Sequence, residues 1–98
     1  MLKPKGIRQV VFEFEEKFGQ DLVREAFKII EDYKEKSKDI IEALTLSLTH
    51  VIRYEKFYKE NYFKDPNYSL KLALALEIYL LTKDFPHVYE ELKTLYEN

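Results

Sequence analysis

The fold is decided by residues 65–82, which read DPNYSLKLALALEIYLLT. Asp65 is a favourable helix cap and Pro66 is tolerated in a first helical turn, so the stretch predicts a helix that begins here and runs to about Thr82. Leu, Ala and Ile dominate the rest of the stretch and make it apolar on nearly every side. Because a helix that is apolar all round is a buried one, we expect this helix, the fourth of the chain, to be the central element.

Two helices are predicted near the beginning of the chain, on either side of Gly19. Apolar residues recur there at helical spacing, namely at Ile7, Val10, Val11, Phe14 and Phe18 and then at Leu22, Ala26, Ile29, Ile30 and Tyr33. The two stripes share one register, so a single helix could span both, at a cost of about 1 kcal/mol for the glycine relative to alanine. We favour a break, with helices over 7–18 and 21–36, Gly19 ending the first and Asp21 capping the second.

The third helix and the fifth have recognisable beginnings. Asp39 followed by Glu42 resembles a capping box, and the helix that starts there must stop near Lys64, because a residue that precedes proline avoids the α region. Asp84-Phe85-Pro86 begins a short last helix. The predicted fold class is all-α, a compact antiparallel bundle of four or five helices that forms one domain over residues 1–98.

Composition excludes several classes of site and of location. The chain has no cysteine and only two glycines, so disulfides, thiolate metal sites and a phosphate-cradling loop are not expected. Its longest apolar run is about a dozen residues, whereas a membrane span needs roughly 20. The first residues lack the apolar segment of a signal peptide, and we expect a cytoplasmic protein. Abundant Lys and Glu with little Gln, Asn or Met is typical of proteins from hot environments.

Residues 53–71 combine basic and aromatic side chains. The stretch holds five basic residues and three acidic ones, with six aromatic residues interleaved. Basic groups neutralise phosphates and aromatic rings stack on bases, which is how single-stranded nucleic acid is bound. The candidate contacts with nucleic acid or with a protein partner are Arg53, Lys56, Lys59, Tyr62 and Lys64. A structural role for the aromatic residues, with the lysines in solvent, is the favoured interpretation.

No pattern in the sequence predicts a catalytic, metal or cofactor site. His50 and His87 are far apart and lie in no ligand-spaced motif. His50 lies on an otherwise apolar helix, which favours a hydrogen-bonded structural histidine over a general base. His87 should be exposed in the first turn of the last helix. An enzyme that uses His50 is therefore the weakest of the hypotheses and would need an open pocket around that residue.

The function favoured by the sequence is protein interaction. At 46% hydrophobic residues and 15% aromatic residues, the chain has more large apolar side chains than one small core easily covers, and aromatic surplus is typical of interfaces. We predict a small interaction module without catalytic activity of its own, either a homodimer or an accessory subunit of a larger assembly. The alternative is a nucleic-acid-associated protein that uses residues 53–71.

Overall fold

The described part of the chain consists of helices joined by short connections. The computed structural model describes residues 6–58 and 67–97, and within the third helix it describes side chains as far as Arg53. The helices are α1 (Ile7–Phe18), α2 (Gln20–Lys36), α3 (Ile40–Tyr58), α4 (Tyr68–Thr82) and α5 (Pro86–Tyr96). These residues include no strand, so the predicted all-α class is confirmed, with five helices.

Gly19 separates α1 from α2, as the sequence analysis favoured. Its backbone has φ 94° and ψ 150°, a region that only glycine occupies readily. The Gly19 N–H closes α1 by donating to the carbonyl of Glu15 at 2.8 Å, and the Gly19 carbonyl accepts from Val23 N–H at 3.4 Å at the start of α2. The predicted cap was wrong: Asp21 lies inside the first turn of α2, where its carboxylate accepts from the Arg24 guanidinium at 2.8 Å.

The beginnings of the other helices follow local sequence signals. Asp39 Oδ1 accepts from the Glu42 N–H at 3.0 Å, which confirms the side-chain cap of α3. Pro86 is the first residue of α5, as predicted. The predicted end of α3 near Lys64 lies outside the described residues. Asp65 and Pro66 also lie outside them, but the start predicted for α4 at these residues was wrong, because the helix begins at Tyr68 and its N-cap is Asn67.

The interior is built around α2 and α4. These two helices contact each other most extensively, and each also contacts all of the other described helices. The central position predicted for α4 is thus confirmed, and α2 shares it. The core residues of α4 are Leu72, Leu74, Ala75 and Ile78. Thr82 is also buried, and its hydroxyl donates to the Ile78 carbonyl at 2.7 Å, so this polar group has a partner within its own helix.

The remaining helices are distributed unequally about this central pair. Helices α1 and α5 contact each other as well as α2 and α4, whereas α3 contacts only α2 and α4 among the described elements. Residues 37–39 and 83–85 are the short connections that join α2 to α3 and α4 to α5. Helix α3 therefore packs with one side only and leaves the opposite side to solvent. None of the described helices is long and apolar enough to cross a membrane.

Replacing Leu74 by alanine should lower the free energy of unfolding by about 2–5 kcal/mol, because the side chain is buried in a packed core. Leu74 is 3% exposed, whereas Leu80 of the same helix is 41% exposed. The matched control, Leu80→Ala, should cost less because less apolar surface leaves water there. Urea unfolding of both variants measures the difference. A Leu74→Ala cost below about 1 kcal/mol would place α4 at the periphery and contradict this architecture.

Replacing Gly19 by alanine should cost about 1–3 kcal/mol, the usual penalty for a side chain at such a backbone conformation. Gly6 provides the control, because it has φ −68° and ψ 155°. A Cβ atom at either glycine meets nothing within 4 Å, so the two substitutions differ only in backbone strain. Gly6→Ala should be close to neutral in the same thermal or urea unfolding measurement. Equal effects at the two positions would show that the break does not depend on the conformation of Gly19.

Candidate functional site

The outer face of α3 is the most unusual surface of the described chain. On the inner side of this helix Leu44 and Val51 are buried in the core, and Ser47 accepts a hydrogen bond from the Tyr33 hydroxyl of α2 at 2.6 Å. These contacts fix the rotation of α3 about its own axis. The side chains that consequently face solvent are Glu42, Thr45, Leu46, Thr49, His50, Ile52 and Arg53, which we call the α3 outer face.

Two large aliphatic side chains stand on this face. Leu46 is 62% exposed and Ile52 is 60% exposed, the highest exposures among the large apolar residues of the described chain. At about 100° per residue they lie on either side of the row formed by Thr45 and Thr49. The two aliphatic groups and the threonine methyl groups therefore form one patch.

The sequence keeps charge away from this patch. Residues 43–52 read ALTLSLTHVI and include no Asp, Glu, Lys or Arg, which makes them the longest uncharged run in a chain with 35% charged residues. Ten residues make almost three helical turns, so the run covers the outer side of α3 as well as the buried one. Charges are restricted to the two ends of the face, at Glu42 and Arg53. An apolar centre that lacks charges, with a polar rim, is typical of protein interfaces.

Other exposed apolar residues lie in much shorter uncharged runs than Leu46 and Ile52. Phe12 of α1 lies one turn from both Arg8 and Glu16, and Leu95 of α5 lies one turn from Glu91. Arg8 and Glu91 form an ion pair between these two helices. Single exposed apolar side chains of this kind are normal on soluble proteins. They do not form a patch comparable to that of α3.

Of the five candidate contact residues predicted from the sequence, only Arg53 has a described side chain, and it is exposed at the end of the α3 outer face. Lys56 belongs to α3, but its side chain lies outside the description, and Lys59, Tyr62 and Lys64 lie outside the described residues. Binding of nucleic acid to this stretch stays a prediction.

The histidines lie on the surface. His50 is exposed on the α3 outer face, and its predicted role as a hydrogen-bonded structural histidine stays a prediction. His50 is exposed because it lies on the side of α3 that faces away from α2 and α4, whereas Leu44 and Val51 lie on the inner side. His87 is exposed in the first turn of α5, as predicted. Among the described residues no group of three or more His, Asp or Glu side chains could hold a metal ion.

A groove lies between α2 and α5. This α2–α5 groove has a volume of about 310 Å³, and its lining consists of Arg24, Phe27, Lys28, Glu31, Lys93, Tyr96 and Glu97. The aromatic floor is a stack of Phe27 on Tyr96, with ring centroids 5.5 Å apart. His50 does not line it, so the pocket that an enzyme using His50 would need is not this groove.

The basic groups at the rim of the α2–α5 groove already have partners. The Arg24 guanidinium donates to the Tyr96 carbonyl at 2.9 Å and to Asp21 at 2.8 Å. Lys93 lies 3.5 Å from Glu31, and Lys28 lies 3.4 Å from Glu25. The contacts of Arg24 with Tyr96 and of Lys93 with Glu31 hold α5 against α2, so we assign the groove a structural role.

Glu31 is the centre of the polar contacts between α2 and α5. Its carboxylate accepts from the Tyr89 hydroxyl at 2.5 Å and lies 3.5 Å from the ammonium groups of both Lys34 and Lys93. Burial raises the pKa of Glu31, but the hydrogen bond from Tyr89 and the two lysines outweigh burial, so the pKa lies below its ordinary value of 4.5. Burial and the Glu31 hydrogen bond together raise the pKa of Tyr89 well above the usual range.

Comparison of the chain with protein-family models, with curated proteins and with solved structures found no match.

Leu46 and Ile52 are not among the site residues predicted from the sequence. The helical spacing of apolar residues in the third helix does not distinguish its buried side from an exposed one. The signal that could have found them is the uncharged run 43–52. A surface helix normally carries charged residues on its outer side, and a run of almost three turns without any is an exception.

Replacing Glu31 by glutamine should lower stability by about 1 kcal/mol at neutral pH. The glutamine oxygen can still accept from Tyr89, but the negative charge that strengthens this hydrogen bond and attracts Lys34 and Lys93 is lost. The folded-state pKa of Glu31 is depressed. The stability that ionised Glu31 contributes is therefore fully present at pH values above its unfolded-state pKa, and it is lost as the pH falls through its folded-state pKa. The difference in unfolding free energy between the native chain and the variant should therefore be constant from about pH 7 to about 5.5 and shrink below about 4.5.

The control for Glu31 is Glu35→Gln, an exposed carboxylate one turn further along α2. This change should alter stability by less than about 0.5 kcal/mol at every pH. Urea unfolding at a series of pH values measures both variants. A Glu31→Gln difference that grows as the pH falls would contradict the network described above.

Proposed function

We propose that the chain is a protein-interaction module whose binding surface is the α3 outer face. The observation that carries the proposal is the pair Leu46 and Ile52, 62% and 60% exposed in an uncharged run. Full burial of such a side chain is worth about 1.5–3 kcal/mol, so covering what is still exposed contributes about 1–2 kcal/mol for each residue. The chain acts by binding, either to a second copy of itself or as an accessory subunit of a larger assembly.

The position of α3 in the fold supports this proposal. Among the described helices α3 contacts only α2 and α4, so a partner can reach its whole outer side. The inner side is fixed by Leu44, Val51 and the hydrogen bond to Tyr33. A binding surface on such a supported helix is preorganised, which reduces the entropy lost on association.

Replacing both Leu46 and Ile52 by lysine should abolish association, because it removes the apolar patch and adds two charges that would be costly to bury. Self-association is measured by analytical ultracentrifugation from about 1 to about 100 µM. Association with other proteins is measured by affinity purification from an extract of the source organism. The native chain is expected to associate in at least one of the two experiments. Circular dichroism checks the fold, and exposed substitutions of this kind should change stability by less than about 0.5 kcal/mol each.

A matched control is the pair Phe12→Lys and Leu95→Lys, which adds the same charge at exposed apolar residues of α1 and α5. This control should associate as the native chain does. The proposal is wrong if the α3 variant keeps the association that the native chain shows. It is also wrong if the native chain binds neither itself nor another protein.

A further inference from the structure

The charges at the two ends of the α3 outer face have opposite signs. Glu42 lies in the first turn of α3 and Arg53 lies eleven residues later, and both are exposed. Eleven residues correspond to about 16 Å along the helix axis and to only about 20° around it, so both point outward in nearly the same direction. Within the described part of the chain no ion pair involves either side chain.

Such a face is complementary to a copy of itself in one orientation. If a second α3 lies antiparallel on the first, with a two-fold axis at the middle of the face, Glu42 of each protomer lies opposite Arg53 of its partner. The same register places Leu46 opposite the partner's Thr49, so a large side chain meets a smaller one across the axis. It also places Thr45 opposite the partner's His50. Every contact occurs twice, as in an isologous dimer.

The opposite orientation is unfavourable. In a parallel pair in register, Glu42 would face the partner's Glu42 and Arg53 would face the partner's Arg53, and like charges in contact repel. The antiparallel arrangement also sets the dipoles of the two helices in opposite directions. Ion pairs at the rim of an interface contribute more to register and specificity than to affinity. Here they would define the register of a face whose other side chains are aliphatic or polar without a formal charge.

The geometry points to a second copy of this chain as the partner of the α3 outer face, in an antiparallel two-fold dimer held at both ends by ion pairs between Glu42 and Arg53 of the two protomers. This assignment rests on the proposed function and adds the partner, the orientation and the register. Leu46 lies near the two-fold axis and supplies the apolar centre of the dimer, whereas Ile52 adds apolar contact near each end, and the charges at the two ends of the face disfavour the parallel arrangement.

The test uses two charge reversals in the full chain, Glu42→Arg and Arg53→Glu. In a dimer of Glu42→Arg chains two positive charges meet at each end of the interface, and in a dimer of Arg53→Glu chains two negative charges meet there. Each variant alone should therefore self-associate about tenfold more weakly than the native chain, or weaker still, in 0.15 M salt. At this salt concentration the Debye length is about 8 Å, so charges in contact are not screened from each other.

When the two variants are mixed in equal amounts, one end of the mixed dimer carries the native ion pair. The other end carries the same pair with reversed polarity. Native mass spectrometry should then detect the mixed dimer at close to the native affinity.

Glu16→Arg provides the control, because it changes the net charge as Glu42→Arg does but lies on the exposed surface of α1. It should dimerise as the native chain does and should not form a favoured mixed dimer with Arg53→Glu. The double variant Glu42→Arg/Arg53→Glu provides a second test, which applies even if one of the single variants folds poorly. Its self-association constant should lie within about threefold of that of the native chain. Thermal unfolding of each variant checks that it is folded.

The outcomes separate this inference from the proposed function. The self-association assignment is overturned if the chain is monomeric at about 100 µM, or if neither the mixture nor the double variant restores the dimer. If a monomeric chain nevertheless binds another protein through Leu46 and Ile52, the proposed function stands and only the assignment fails. If a dimer forms that is indifferent to Leu46→Lys, Ile52→Lys and both charge reversals, this assignment is wrong, and the dimer uses another surface.

Discussion

The packing of α4 against α2 is the constraint on which the rest of the structure depends. A helix that is apolar on nearly every side cannot be stable at a surface, so the chain has to surround it. Helix α2 shares the centre and contributes Val23, Ala26, Phe27 and Ile30 to the core. Helices α1 and α5 cover part of this pair and also contact each other, and α3 covers another part. Because α3 uses only one side for this purpose, the side chains on its other side are exposed.

Polar contacts then fix how the outer helices lie on the central pair. The Tyr89 hydroxyl and Lys93 of α5 reach Glu31 of α2, and the Tyr96 hydroxyl reaches Glu15 of α1 at 2.6 Å. Each tyrosine ring is buried while its hydroxyl meets a carboxylate at the edge of the core, so burial leaves neither of these two donors unsatisfied. These contacts join α1, α2 and α5 into one unit, and α3 is joined to that unit through Ser47 and Tyr33.

Much of the fold can be predicted from the sequence, because strong local signals coincide with the tertiary contacts. Pro86 begins α5, Asp39 caps α3, and the uniform apolarity of α4 places it at the centre. The break at Gly19 could only be favoured, since a stripe that continues in register fits one helix as well as two. The cap of α2 was misassigned because Gly19 itself, in a glycine-only conformation, occupies the position before that helix.

The candidate site was harder to predict, because Leu46 and Ile52 are of the same residue types as the core. Only the rotation of α3 about its axis, which is fixed by Leu44 and Val51, turns them outward.

The most direct test of the central claim is a methyl NMR spectrum recorded as a function of protein concentration. The account predicts that the Leu46 and Ile52 methyl resonances shift together as the concentration rises from about 10 µM to about 1 mM. The methyl resonances of Leu80 and Leu95, which are exposed on other helices, should stay unchanged. Shifts confined to Leu80 or Leu95, or no shift of any of these resonances over the whole range, would contradict self-association through the α3 outer face.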